Sequence, residues 1–202
     1  MPTQNYPKTI YLIDDDDSLR ESLTQMLRFM GYQVKAFNSA KAFLIEPAQD
    51  IPAVVLTDMR MPDISGVDLQ AVLASRGRKI PIIFISGESS MTQAITAMKG
   101  GAIEFLQKPI SREELLSAIA RGMQIDISAM ELVIKKTGLE ERLKTLSPRE
   151  RQTFDLLAMG YNNTELVEAL GVAMYTAKQY KNEVMRKLNL RSLAELIKLK
   201  NL

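Results

Sequence analysis

The chain has 202 residues and contains neither cysteine nor histidine. The absence of cysteine excludes disulfides and thiolate metal sites, which agrees with a cytosolic setting. The absence of histidine excludes histidine-based catalytic triads, histidine-ligated metals and a phosphohistidine in the chain itself. No apolar run is long enough to cross a bilayer, and no charged-then-apolar signal segment opens the chain. We therefore expect a cytoplasmic protein with no membrane partner.

The composition is that of an ordinary globular protein, with 46% hydrophobic and 25% charged residues, and the length allows one or two domains. The charge is unevenly distributed. Residues 1–126 carry 13 Lys+Arg and 15 Asp+Glu, a net charge of −2, whereas residues 127–202 carry 13 and 9, a net charge of +4. The basic C-terminal part favours a polyanionic partner, although an excess of this size also fits a solvated surface.

The N-terminal part alternates between short apolar runs and amphipathic segments. Predicted strands cover residues 9–13, 33–37, 53–56, 80–85 and 103–106, and a helix is predicted after each of them. Strict alternation of this kind indicates an α/β domain with a five-stranded, parallel, doubly wound sheet. In such sheets the chemistry lies just beyond the carboxyl ends of the strands.

The third predicted strand ends in a carboxylate, Asp58, after the apolar run that begins at Ala53. An aspartate at a buried strand end is unfavourable unless a cation or hydrogen bonds compensate its charge. We therefore predict that Asp58 is a phosphoryl acceptor and that the rest of the chain positions or responds to it.

Two further carboxylates are predicted to converge on Asp58. Asp14 and Asp15 follow the first strand, which can neighbour the third at the switch point of the sheet. Clustered carboxylates repel unless a cation joins them, and a hard cation with oxygen ligands, most simply Mg²⁺, fits this set. The alternative is that an acidic run suits the N-terminus of the following helix, and this accounts for Asp16 and Asp17.

Polar groups also follow the fourth and fifth strands. Ser86 can donate a hydrogen bond to a phosphoryl oxygen, and Lys108 can form an ion pair with it. A lone Ser-Gly or Lys-Pro is typical of a turn. The assignment of these residues to a phosphoryl site is supported by their predicted position at the same edge of the sheet. Attack of a carboxylate on phosphorus requires positioning and charge neutralisation rather than acid–base chemistry.

The pattern is purely helical after Leu143. Ser147 is a predicted N-cap, followed by proline at the first helical position and by Glu150 at the third. Two later helices are joined by a tight turn at Gly171, which is the signature of a helix-turn-helix. The segment 124–143 either continues the preceding helix or forms a linker.

The motifs of the first part together resemble the receiver domain of bacterial response regulators, over residues 8–125. The matching features are Asp14-Asp15, Thr57-Asp58 with Met59-Arg60-Met61-Pro62-Asp63 and Ser65-Gly66, Ser86-Gly87, and Phe105 with Lys108-Pro109. The run that begins at Thr57 is similar to the FixJ-type subgroup in particular. The resemblance implies a flavodoxin-like fold and phosphorylation of Asp58 by a sensor histidine kinase.

The same resemblance implies a role for each residue around Asp58. Mg²⁺ is expected to be held by Asp15, Asp58 and the backbone carbonyl of Arg60, with Asp14 assisting. The resemblance also implies a phosphoryl-sensing switch, in which the Ser86 hydroxyl moves towards the phosphoryl group and the Phe105 ring turns inward. It further implies that the Lys108–Pro109 peptide is cis. The switch residues are Ser86, Phe105 and Lys108.

Residues 142–202 resemble the LuxR-type DNA-binding domain, and residues 126–141 are interpreted as a linker. The resemblance rests on Leu146-Ser147-Pro148-Arg149-Glu150, Gly160, Asn163, Glu165-Leu166, Leu170-Gly171-Val172, Thr176, Lys178 and Lys187-Leu188. It implies an all-α helix-turn-helix domain whose recognition helix covers residues 174–188.

The recognition helix is expected to present three residues to the major groove. Lys178 can reach guanine acceptors, and Gln179 and Asn182 can pair with adenine. Contacts with phosphates, which position the protein without specifying a sequence, are expected from Thr176, Lys181, Arg186 and Lys187. A solvated helix face is the alternative for Lys181 and Lys187.

The leading hypothesis is a two-component transcription factor and not an enzyme. Phosphorylation would produce a homodimer that binds paired half-sites in promoter DNA, with RNA polymerase as a further partner. A second hypothesis is an aspartate-dependent phosphatase, but its nucleophile should lie in an Asp-x-Asp pattern at the first strand, and the basic domain argues against it. A third is a DNA-binding protein whose receiver dimerises without phosphorylation.

Overall fold

The computed structural model describes residues 7–47, 51–87 and 91–200. The chain divides into two compact units, Met1–Met130 and Glu131–Leu202. No helix within the described ranges is both long and apolar enough to span a membrane.

The first unit contains the predicted five-stranded parallel sheet. Its strands are β1 (Thr9–Ile13), β2 (Gln33–Phe37), β3 (Ala53–Asp58), β4 (Ile82–Ser86) and β5 (Glu104–Gln107), in the order β2-β1-β3-β4-β5. The helices of the unit are α1 (Asp17–Phe29), α2 (Ala40–Ile45), α3 (Gly66–Ser75), α4 (Met91–Lys99) and the first part of α5 (Arg112–Lys144). The fold is therefore the predicted flavodoxin-like one, with β3 at the centre of the sheet.

Several element boundaries differ from the sequence prediction, among them both ends of β4, the end of β3 and both ends of β5. β4 begins at Ile82 rather than at residue 80 because Pro81 has no N–H to donate to the sheet. β3 extends to Asp58, which pairs with Ile85. α5 is one continuous helix of 33 residues, so segment 124–143 continues the preceding helix, which is one of the two alternatives left open, and residues 126–141, interpreted as a linker, are helical.

Successive side chains of each strand point to opposite faces of the sheet, and helices cover both faces, so the sheet is buried on both sides. In β3, Val54 and Leu56 pack with the cluster that includes α1 and α5. Val55 packs in a second cluster with residues of α2 and α3, on the other face. This two-sided burial explains why β1, β3 and β4 are almost continuously apolar in sequence.

Gly66 allows α3 to begin in contact with the end of β3. Its N–H donates a 3.0 Å hydrogen bond to the carbonyl of Met59. A Cβ at this position would lie 2.5 Å from the carbonyl oxygen of Asp58 and 2.7 Å from the ring of Phe84. Only glycine therefore permits this approach, which fixes the loop that follows Asp58.

The second unit is helical. After the end of α5 it contains α6 (Pro148–Ala158), α7 (Asn163–Leu170), α8 (Met174–Lys187) and α9 (Leu193–Lys200). Both α6 and α7 begin with complete capping boxes, and α7 ends at Gly171 in the left-handed conformation, with φ of 63°. Because Gly171 turns the chain within so few residues, α7 and α8 form the predicted helix-turn-helix.

The N-terminus of α6 is joined to the C-terminus of α8 by an ion pair. The Lys187 Nζ lies 2.6 Å from Glu150 Oε2. The hydrogen bond from Lys187, more than any other interaction, holds the pKa of Glu150 below its ordinary value, although desolvation opposes it. The N–H of Ser147 donates to the same carboxylate at 2.7 Å, so Glu150 serves the cap and the ion pair together.

We predict that Gly66→Ala destabilises the first unit by about 1–3 kcal/mol, because the added methyl overlaps a backbone carbonyl that cannot move without displacing Asp58. The matched control is Gly77→Ala, where a Cβ meets none of the described atoms within 4 Å. Urea denaturation of both variants measures the difference. Equal midpoints for the two variants would contradict the predicted overlap.

A second prediction concerns the pH dependence of Glu150. Because its folded-state pKa is lowered, the pair with Lys187 stabilises the fold above the ordinary glutamate pKa of 4.5, and this contribution is lost as the pH falls towards the lowered value. The difference in melting temperature between the wild-type chain and Glu150→Gln should therefore be largest near neutral pH and shrink in acid. A difference that grows on acidification would show that the sign is wrong.

Candidate functional site

The three predicted carboxylates meet at the carboxyl edge of the sheet. Asp14, Asp15 and Asp58 each offer a ligand oxygen, and these oxygens all lie within 4.8 Å of one another. They converge because β1 and β3 pair in parallel with Ile13 opposite Thr57. Asp14 is fully buried and Asp15 is exposed, while the Asp58 side chain retains 12% of its exposure and is reachable from solvent.

The Asp58 carboxylate is oriented through both of its oxygens. Its Oδ1 accepts a 2.9 Å hydrogen bond from the backbone N–H of Arg60. Its Oδ2 lies 2.6 Å from the Nζ of Lys108, which is also 3.2 Å from Asp14 Oδ2. Lys108 is itself placed by its N–H, which donates to the carbonyl of Ser86 at 2.8 Å, and the Lys108–Pro109 peptide is cis.

Burial and charge act against each other in this cluster. Desolvation raises the pKa of Asp14, although the N–H of Asp16 and the charge of Lys108 oppose the rise. Desolvation also acts to lower the pKa of Lys108, but its hydrogen bond to Asp58 and the charge of Asp14 outweigh this effect and leave its pKa raised. Lys108 is consequently a cation at neutral pH and stabilises the buried carboxylates.

The donor set of the cluster suits a hard divalent cation. All three side chains offer carboxylate oxygens, and the chain contains no cysteine or histidine that would favour a softer metal. The residues present therefore fit Mg²⁺, as predicted.

Ser86 and Phe105 lie on the adjacent strands β4 and β5. Ser86 is 1% exposed, and its Oγ has no hydrogen-bond partner among the described residues. A buried hydroxyl without a partner is unfavourable, so an oxygen atom that arrived within reach would be bound. Phe105 is half-buried, lies opposite Phe84 and packs against the core on the α2 and α3 face.

Arg20 is a contributor to the site that the sequence analysis missed. Its Nη1 donates a 2.8 Å hydrogen bond to the carbonyl of Asp14, and its guanidinium pairs with Asp17. The sequence offered one indication of this contact, because Arg20 is a basic residue in the first turns of the helix that follows the acidic run. The bond fixes the backbone between β1 and α1, where two of the carboxylates lie.

The residues predicted to read DNA bases share one exposed face of α8. Lys178, Gln179 and Asn182 are all exposed, while Ala177 and Val184 are buried on the opposite face. The helix therefore presents a lysine, a glutamine and an asparagine together, all of which can bond to base edges.

The residues predicted to contact phosphates lie in more varied surroundings. Thr176 is half-buried, and Arg186 is exposed and paired with Glu183 at 2.7 Å. Lys181 donates a 3.2 Å hydrogen bond to Asn163 Oδ1, and Lys187 is bound to Glu150. Lys181 and Lys187 therefore have roles within the domain that the sequence analysis did not foresee, and their phosphate contacts stay predictions.

Each of the two units matches a known protein family. Residues 10–120 match the family described as "Response regulator receiver domain", and residues 144–199 match "Bacterial regulatory proteins, luxR family". The first match covers the acidic cluster and the second covers α6 to α8 and most of α9.

Two relatives are similar over nearly the whole chain. Nodulation protein W of Bradyrhizobium diazoefficiens is 39% identical over 190 residues, which cover 94% of this chain and 84% of the relative. Transcriptional regulatory protein FixJ of Rhizobium meliloti is 35% identical over 191 residues, which cover 95% of this chain and 94% of the relative.

Solved structures extend the likeness to the fold. The response regulator StyR superposes with a TM-score of 0.84 at 37% identity, covering 96% of this chain and 98% of that one. Full-length FixJ from B. japonicum gives a TM-score of 0.57 at 31% identity, with 95% and 94% covered. The family to which these matches point is one of transcriptional response regulators and not of enzymes, which removes the phosphatase hypothesis.

The two family matches and the full-length relatives point to the same family. The chain therefore belongs to the two-component response regulators of the NarL/FixJ type, which join a receiver domain to a LuxR-type DNA-binding domain and regulate transcription.

Proposed function

We propose that Asp58 accepts a phosphoryl group from the phosphohistidine of a sensor histidine kinase, and that the modified chain dimerises and binds promoter DNA through α8. One observation carries this proposal. The Asp58 carboxylate lies at the end of the central strand, is bonded by Lys108 at 2.6 Å, lies beside Asp14 and Asp15, and still reaches solvent.

The proposed transfer uses groups that are already in position. An oxygen of Asp58 attacks phosphorus, the phosphorus–nitrogen bond of the phosphohistidine breaks, and the imidazole leaves on the kinase. The Arg60 N–H holds the carboxylate in one orientation before reaction, which lowers the entropic part of the barrier. Lys108 neutralises negative charge on the transferred oxygens.

Mg²⁺ is the proposed cofactor. Asp14, Asp15 and Asp58 would hold it, with the Arg60 carbonyl as the further ligand that the family resemblance implies. When bound, the ion supplies neutralisation of charge on the phosphoryl group and on the three carboxylates.

Signal output is proposed to begin at Ser86. A phosphoryl oxygen on Asp58 would give its hydroxyl the partner that it lacks among the described residues, and this bond would bias the position of Phe105 and α4. On α4, Met91, Ile95 and Met98 are exposed at helical spacing. We propose this apolar face as the dimer contact.

The proposed ligand of the second unit is double-stranded promoter DNA, with RNA polymerase as the further partner at the promoter. The exposed Lys178, Gln179 and Asn182 support this assignment, together with the +4 net charge of residues 127–202. A cytoplasmic location follows from this ligand.

Replacement of Asp58 by Asn should abolish labelling of the chain by a radioactive small phosphodonor, because an amide oxygen is a poor nucleophile and gives no stable acyl phosphate. The matched control is Asp63→Asn, an exposed acid five residues away whose partner is Lys41, and this variant should be labelled like the wild type. Labelling that survives in Asp58→Asn would refute the assignment of the acceptor.

Replacement of Lys178 by Ala should cost about 1–3 kcal/mol in binding to a duplex that the wild-type chain selects from a random library, and should relax its preference at one base position. Lys198→Ala removes an exposed cation from α9 and serves as the control. Fluorescence anisotropy with and without phosphodonor measures both effects. Equal wild-type affinity under the two conditions would favour the phosphorylation-independent alternative.

A further inference from the structure

The last turn of α5 is bonded to the C-terminus of the recognition helix α8. Arg142 Nη1 donates a 3.1 Å hydrogen bond to the carbonyl of Leu188, the C-cap residue that directly follows α8. Its Nε donates to the carbonyl of Gly138, one turn back on α5, also at 3.1 Å. The second bond orients the planar guanidinium so that its fork faces α8.

A guanidinium donor at the C-terminal end of α8 stabilises the helix for two reasons. The last carbonyls of a helix have no partner within the helix and carry partial negative charge, so a guanidinium there both satisfies an acceptor and interacts favourably with the dipole. The neighbouring contacts reinforce it. Lys187 Nζ donates to the carbonyl of Thr145 at 3.3 Å, and Leu188 is fully buried in the core cluster against which Leu143 and Leu146 pack.

We infer that Arg142 is a positioning residue for DNA recognition, which acts by fixing the C-terminal end of α8 and not by contacting the nucleic acid. Asn182 lies six residues from Leu188, roughly 9 Å along the helix axis. Hydrogen bonds to base edges tolerate displacements of only about 0.5 Å. A recognition helix whose end is free to shift would therefore lose base readout before it lost attraction to phosphates.

This inference rests on the proposed role of α8 and predicts a signature that separates positioning from charge. Arg142→Gln removes the guanidinium, and Arg142→Lys keeps the charge but cannot bridge Gly138 and Leu188. Lys144→Gln is the matched control, because it removes a cation two residues away whose ion pair is with Glu141 on its own helix. All variants are made in the full-length chain.

The measurement is the dissociation constant for a duplex that the wild-type chain selects from a random library and for a scrambled duplex, over a range of KCl concentrations. We expect Arg142→Gln and Arg142→Lys to bind the selected duplex roughly threefold to tenfold more weakly, a loss of the size of one typical net intramolecular hydrogen bond. Binding to the scrambled duplex and the slope of log Kd against log [KCl] should be unchanged, as should both affinities of Lys144→Gln.

Three outcomes would overturn the inference and leave the proposed role of α8 intact. A salt slope reduced by about 0.9 in Arg142→Gln and restored in Arg142→Lys would make Arg142 a phosphate contact. Equal losses on both duplexes would indicate a smaller folded fraction and a merely structural role. Affinities equal to those of Lys144→Gln would show that the bond is irrelevant to binding. A wild-type chain that selects no duplex would overturn the proposed role of α8 as well.

Discussion

A buried negative charge at the ends of parallel strands is the constraint on which the receiver unit depends. Asp14 and Asp58 are held where water is largely excluded, and the ammonium of Lys108 lies within 3.2 Å of both. Removal of one partner from such a group leaves an uncompensated charge, which is strongly destabilising. The order of the strands and the placement of Lys108 by Ser86 can therefore be understood as the means of bringing a cation to these carboxylates.

The second unit depends on a different kind of constraint, the saturation of helix ends. Glu150 bonds the backbone at the start of α6 and, through Lys187, the end of α8. Arg142 satisfies a carbonyl at the same end of α8. The bonds of Glu150 and Arg142 hold α8 at its terminus and do not involve the exposed Lys178, Gln179 and Asn182.

Much of the fold and of the acidic site follows from sequence because both are expressed in short-range patterns. Apolar runs mark the strands, and chemistry at the carboxyl ends of parallel strands directs attention to Asp58 and its neighbours. The bonds of Lys187 and Arg142 were not predictable in this way. They join residues 37 and 46 positions apart, and their formation depends on how helices cross, which periodicity does not specify. Asp126 is a similar case, since its bond to the N–H of Ala53 spans 73 positions.

The central position of β3 limits how far the backbone around Asp58 can move. β3 is paired along both sides, with β1 and β4, so its backbone cannot slide without breaking two ladders at once. β5 has a single neighbour and is correspondingly easier to deform. The strand that carries Asp58 is thus held on both sides, while the edge strand β5 is held on one side only. A substitution along that edge should therefore disturb the position of Asp58 less than a substitution within β3 itself.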